Sequence, residues 1–87
     1  MLDTRDLLRG HNVVMYPNPM GDVLNILTNG PVSIEVHDIT GRLVIKIKKN
    51  QTHKGLNQLN VSLLPAGVYN FSVTYEGRTT TAKVLKR

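Results

Sequence analysis

After a polar start, hydrophobic and polar residues alternate along nearly the whole chain. The patterned segments repeat with a period of two, and none keeps the 3.6-residue period of a helix beyond one turn. This pattern predicts an all-β protein. It also divides the chain into an expected flexible linker remnant, residues 1–12, and one folded domain, residues 13–87.

The alternation and the turn residues between its segments predict seven short strands. Their expected bounds are 13–17, 23–28, 32–38, 43–49, 59–63, 69–75 and 79–86, with a polar loop at 50–58. Three glycines, Gly41, Gly67 and Gly77, stand where the alternation stops, so we expect them in turns, at least one with a positive φ. Short strands at this spacing indicate an immunoglobulin-like seven-stranded antiparallel β-sandwich. The chain lacks the cysteines and the tryptophan of antibody domains, so the prediction concerns the architecture and not antibody topology.

The inward positions of these strands predict one core between two sheets. Its expected members are Val32, Ile34, Val36, Leu43, Ile45, Leu59, Val61, Tyr69, Phe71, Val73, Ala82 and Val84. Leu63 is expected to point the same way as Leu59 and Val61. Lys86 and Arg87, at the tip of the last strand, are expected to be solvated. The open edge strands of such a sandwich would permit self-association.

Composition narrows the function classes. The 87 residues include no cysteine and carry a formal charge of +5. This charge permits contact with nucleic acid, but Tyr69 and Phe71 alternate as core residues do and leave no aromatic platform for bases, so no nucleic-acid partner is predicted. No segment approaches the roughly 18 apolar residues of a membrane helix, so no transmembrane segment is predicted. The first ten residues lack the apolar core of a signal peptide.

Catalytic and metal-binding patterns are also missing, so we expect no enzyme activity and no cofactor. The serines lie on strands without a nucleophile motif, and His37 and Asp38 are strand neighbours whose side chains diverge. His11, His37 and His53 have no metal-ligand spacing. An adhesive or carbohydrate-binding sandwich stays open as an alternative, and an exposed row of aromatic side chains on one sheet would favour it.

Five sequence motifs occur in a familiar order: YPNP at 16–19, LNI at 24–26, VHDITGRLV at 36–44, LPAGVYNFSV at 64–73 and EGRTTTAKVLKR at 76–87. Together they resemble the type A C-terminal sorting domain of the type IX (Por) secretion system. That resemblance implies an immunoglobulin-like sandwich that directs cargo proteins of Bacteroidetes across the outer membrane. The cargo would pass through the periplasm and reach the outer membrane, the cell surface or the medium.

The resemblance further implies partners and recognition residues. The partners would be an outer-membrane shuttle, the translocon and a cysteine-protease sortase that removes the domain. The residues expected to be recognised by the secretion machinery are Gly67, Tyr69, Gly77, Lys83, Val84, Lys86 and Arg87. The cargo, the cleaved bond and the choice between anchoring and release stay open.

Overall fold

The computed structural model describes residues 13–87, and the expected linker, residues 1–12, lies outside the described residues. Seven strands follow one another along the chain: β1 Val14–Tyr16, β2 Val23–Thr28, β3 Ser33–His37, β4 Leu43–Ile47, β5 Gly55–Asn60, β6 Gly67–Tyr75 and β7 Arg78–Lys86. A short 3₁₀ turn, Lys49–Gln51, lies between β4 and β5. The predicted all-β class is confirmed.

The strands form two antiparallel sheets. One sheet has three strands in the order β1-β2-β5, and the other has four in the order β4-β3-β6-β7. The two sheets enclose a single core, as the inward residues of a sandwich should. The seven-stranded sandwich is therefore confirmed, and its arrangement is compatible with the immunoglobulin-like type.

The core is larger than the sequence predicted. Nine of the expected residues are buried, and Ile45 and Leu59 are partly buried against them. The residue before β1, the first two strands and the connection between them contribute further buried side chains: Val13, Met15, Met20, Leu24 and Ile26. The short strand β1 and the interrupted segment after it gave too little alternation to predict Val13, Met15 and Met20. On β2, the exposed hydrophobic residues Val23 and Leu27 hide the alternation of Leu24 and Ile26.

The prediction that Leu43 belongs to the core was wrong. Leu43 is 45% exposed, because the register between β3 and β4 shifts between Val36 and His37. Ile45 pairs with Val36 and Leu43 pairs with His37, so Val44 is the additional residue on β4. Such a bulge turns the residues beyond it to the other face, and Val44 packs against the core in place of Leu43.

The fifth strand also differs from its predicted bounds. It ends at Asn60, where the side-chain oxygen accepts a hydrogen bond from the Ser62 backbone N–H at 2.9 Å. This local bond draws the chain into a turn. Leu63, expected to face inward, is consequently 95% exposed. The last part of the expected polar loop, from Gly55 onward, is strand instead.

Candidate functional site

The last two strands form a long hairpin that carries all the predicted recognition residues except Arg87, which follows β7 directly. Gly67 pairs with Lys86 at one end, and Tyr75 pairs with Arg78 at the other. Glu76 and Gly77 make the two-residue connection with φ values of 49° and 78°. Two positive φ values in succession are typical of the tight hairpin turn whose twist matches that of the strands.

The start of the hairpin is fixed by a side-chain bond across the LPAG turn. The Tyr69 hydroxyl donates to the carbonyl oxygen of Pro65 at 2.6 Å, and Tyr69 is only 4% exposed. Gly67 opens β6 with a φ of 153°. A tyrosine at the start of a strand that bonds back to the preceding turn is the tyrosine corner of immunoglobulin-like sandwiches. The LPAG motif and Tyr69 therefore act together in shaping this end of the domain.

The five predicted recognition residues that carry side chains divide into two groups by exposure. Tyr69, Val84 and Lys86 are buried, whereas Lys83 and Arg87 are exposed. The expectation that Lys86 is solvated was wrong: it is 7% exposed. Its position continues the inward series of Ala82 and Val84, and its Nζ donates to the carbonyl oxygen of Arg87 at 3.1 Å. A long aliphatic stem can be buried in this way while the ammonium reaches a polar atom at the edge.

The structure brings most of these residues together at one end of the hairpin. Tyr69 pairs with Val84, two residues along from the pair of Gly67 and Lys86. Gly77 is exposed in the turn at the opposite end, beyond the last residue of β6, Tyr75, which lies six strand residues or about 20 Å from Tyr69. Gly77 therefore belongs to the turn and lies apart from the other predicted residues.

The connection between β1 and β2 contacts the terminal strand, which the sequence did not predict. Met20 forms a parallel bridge with Lys86. The Met20 N–H donates to the Leu85 carbonyl oxygen at 2.7 Å, and the Arg87 N–H donates to the Met20 carbonyl oxygen at 3.1 Å. The Leu85 N–H donates to Oδ1 of Asn18 at 3.0 Å, and Nδ2 of Asn18 approaches the Lys83 carbonyl oxygen at 3.5 Å.

The other hairpin motif, DITGR, is organised by one carboxylate. Oδ1 of Asp38 accepts hydrogen bonds from the Thr40 hydroxyl at 2.6 Å and from the backbone N–H groups of Thr40 and Arg42. These bonds, that of the Thr40 hydroxyl first, lower the pKa of Asp38. Arg42 Nε lies 3.3 Å from Oδ2 of Asp38. Gly41 completes the turn with a φ of 89°.

Metal-ligating side chains and clefts are the other features of the described residues that bear on a binding site. No group of three or more metal-ligating side chains occurs within residues 13–87. A cleft of about 420 Å³ opens between the sheets beside Ile34 and Ile47. The amide of Asn57 and the hydroxyl of Thr52 on its rim are bonded to neighbouring backbone groups, so they are committed to holding the loop. No helix in the described part of the chain is long and apolar enough to cross a membrane.

These features define a small antiparallel sandwich whose distinctive element is its terminal hairpin. Residues 14–87 match the model of the secretion system C-terminal sorting domain, and the chain belongs to this family. The family predicted from the sequence motifs is confirmed. It is a family of type IX sorting signals and not of enzymes, and it implies export through that secretion system. A comparison with curated proteins finds no match.

Proposed function

We propose that the secretion machinery reads this domain at the end of the terminal hairpin where Gly67, Lys83 and Arg87 lie. The observation that carries the proposal is the division of the recognition residues by exposure. Tyr69, Val84 and Lys86 are buried and hold the fold. Lys83 and Arg87 are the two that present charged side chains to solvent, and β7 brings both close to the LPAG turn.

Under this proposal, an outer-membrane shuttle and the translocon contact the exposed charges of the folded domain. A cysteine-protease sortase then cuts the chain before Val13, and the cargo is anchored at the surface or released. The domain passes through the periplasm on this route. Family membership supports the route, and the fold supports it by making residues 13–87 a compact unit upstream of which a protease can act without unfolding the sandwich.

The alternative, an adhesive or carbohydrate-binding module, would be favoured by a row of exposed aromatic rings. Tyr69 and Phe71 are buried, and Tyr16 is 41% exposed on the opposite sheet. Apolar and amide side chains surround Tyr16, among them Leu27, Gln58 and Val23. The described residues therefore form no aromatic row of the kind a sugar ring would stack on.

The test is charge reversal on the 87-residue chain fused to a periplasmic reporter in a bacterium with a type IX system. Lys83→Glu combined with Arg87→Glu is expected to retain the reporter in the periplasm. The matched control, Lys49→Glu combined with Lys54→Glu, makes the same charge change in the connection between β4 and β5, where both lysines are exposed. Both doubles should alter the free energy of unfolding by no more than about 0.5 kcal/mol each.

Export of the Lys83/Arg87 double variant at the wild-type rate would contradict the proposed reading site. Equal loss of export in both double variants would also contradict it, because the effect would then follow net charge and not position.

A further inference from the structure

The outer edge of β7 is covered along only part of its length. Tyr75 and Arg78 flank the hairpin turn as a hydrogen-bonded pair, and every second pair from there along the hairpin is hydrogen-bonded. The residues of β7 in the intervening pairs direct their backbone N–H and C=O groups away from β6: Thr79, Thr81, Lys83 and Leu85. Met20 and Asn18 bond both groups of Leu85. Among residues 13–87, no partner bonds the corresponding groups of Thr79 and Thr81.

Asn18 occupies the place that a neighbouring strand would take. Its side-chain oxygen accepts from the Leu85 N–H, and its side-chain nitrogen points to the Lys83 carbonyl oxygen. A primary amide carries a donor and an acceptor in one plane, as a peptide group does. An alanine offers neither group, and an aspartate keeps only the acceptor. The contact joins residues 67 positions apart, so it ties the start of the domain to its last strand.

We propose that Asn18 is a positioning residue for the sorting signal. Together with Met20, it holds residues 83–87 against the sandwich, so that the side chains of Lys83 and Arg87 project from a fixed backbone. It also closes this part of the edge to strand addition by another polypeptide, which a bare edge would invite. The inference rests on the proposed function, because it takes these side chains to be the ones that are read.

The first test measures hydrogen exchange of single amides in the 87-residue chain. In Asn18→Ala, the Leu85 amide loses its acceptor, and its exchange is expected to accelerate by about tenfold or more. The Ala82 amide, which faces β6, should keep its wild-type rate. Asn18→Asp retains the acceptor and should restore most of the protection of Leu85. A merely global loss of stability would accelerate both amides together.

The second test measures export of the reporter fusion. Asn18→Ala is expected to lower the export rate severalfold while the domain stays folded, and Asn18→Asp should recover part of it. The control is Asn25→Ala, a change in the three-stranded sheet, away from the terminal hairpin. It removes the side-chain oxygen that accepts a hydrogen bond from Nε2 of Gln58 at 3.2 Å, and the fusion with this variant should be exported at the wild-type rate.

The outcomes separate this inference from the proposed function. Unchanged exchange of Leu85 in Asn18→Ala overturns the inference. Faster exchange with undiminished export also overturns it and leaves the proposed function standing. If the wild-type fusion is not exported, the proposed function fails, and the role of Asn18 in recognition fails with it.

Discussion

The two faces of the terminal hairpin differ in what they contribute. The inward face presents Tyr69, Phe71 and Val84 to the core, and each is less than 5% exposed. The outward face carries hydroxyls that bond in cross-strand pairs, including Thr74 with Thr79 at 2.7 Å. The same two strands thus hold the sandwich together on one side and offer an accessible surface on the other, which is polar except at the exposed pair of Val68 and Leu85. A motif that alternates along such a hairpin necessarily mixes residues of both kinds.

The largest difference between the faces should appear at Phe71. This side chain is fully buried, with Val36 and Ala82 as its cross-strand neighbours. Phe71→Ala is expected to lower the free energy of unfolding by about 3–5 kcal/mol, a large share of the stability of so small a domain. Ser72→Ala, one position along on the outward face, should change it by about 0.5 kcal/mol or less. Urea unfolding measures the stability of both variants. Similar unfolding midpoints for the two would contradict the predicted difference between the inward and outward faces.

A second prediction concerns the charge on the inward face. Lys86→Glu would bury a carboxylate beside the Arg87 carbonyl oxygen that now accepts from Nζ, so it should cost about 2–4 kcal/mol. Lys86→Met keeps the buried stem and should stay within about 1 kcal/mol of the wild type. Lys83→Glu, on the outward face, is the matched control. Equal stability of Lys86→Glu and Lys83→Glu would show that the two faces do not differ in this respect.

A smaller effect is expected at the tyrosine corner. Tyr69→Phe removes the hydroxyl that donates to the Pro65 carbonyl oxygen and should cost about 0.5–1.5 kcal/mol. Tyr16→Phe deletes the same atom from a half-exposed ring and should be close to neutral. Thermal unfolding of the two variants makes the comparison. A neutral Tyr69→Phe would mean that the packing of the ring, and not its hydroxyl, fixes the LPAG turn.

The smallest predicted effect lies outside the hairpin and is restricted in pH. The lowered pKa of Asp38 means that its ionised form stabilises the folded state. This contribution is fully present above the ordinary aspartate pKa of about 3.9 and is lost as the pH falls through the lower folded-state value. Asp38→Asn should therefore be less stable than the wild type at neutral pH, with the gap narrowing below about pH 4. Denaturant titrations at several pH values test this, and a constant gap would contradict it.

Alternation in the sequence was sufficient for most of the fold because one face of each strand is buried. It failed at β5, where Leu56 and Leu59 lie on opposite faces and hide the period. At Lys86 the alternation indicated an inward position, since the residue continues the inward series of Ala82 and Val84. The prediction followed instead the usual exposure of lysine side chains and was therefore wrong. The contact of Asn18 with Leu85 depends on the packing of distant segments, and no local pattern encodes it.

The contact between Asn18 and Leu85 also has a consequence for the order of events in folding. The hairpin β6–β7 closes across a two-residue turn, whereas Asn18 and Leu85 are 67 positions apart. Loop-closure entropy favours the short connection, so the hairpin should form early and the distant contact late. For a time the terminal strand would be paired on one side with its other edge bare. A binding partner that acts within that interval would meet a different surface from one that arrives after closure.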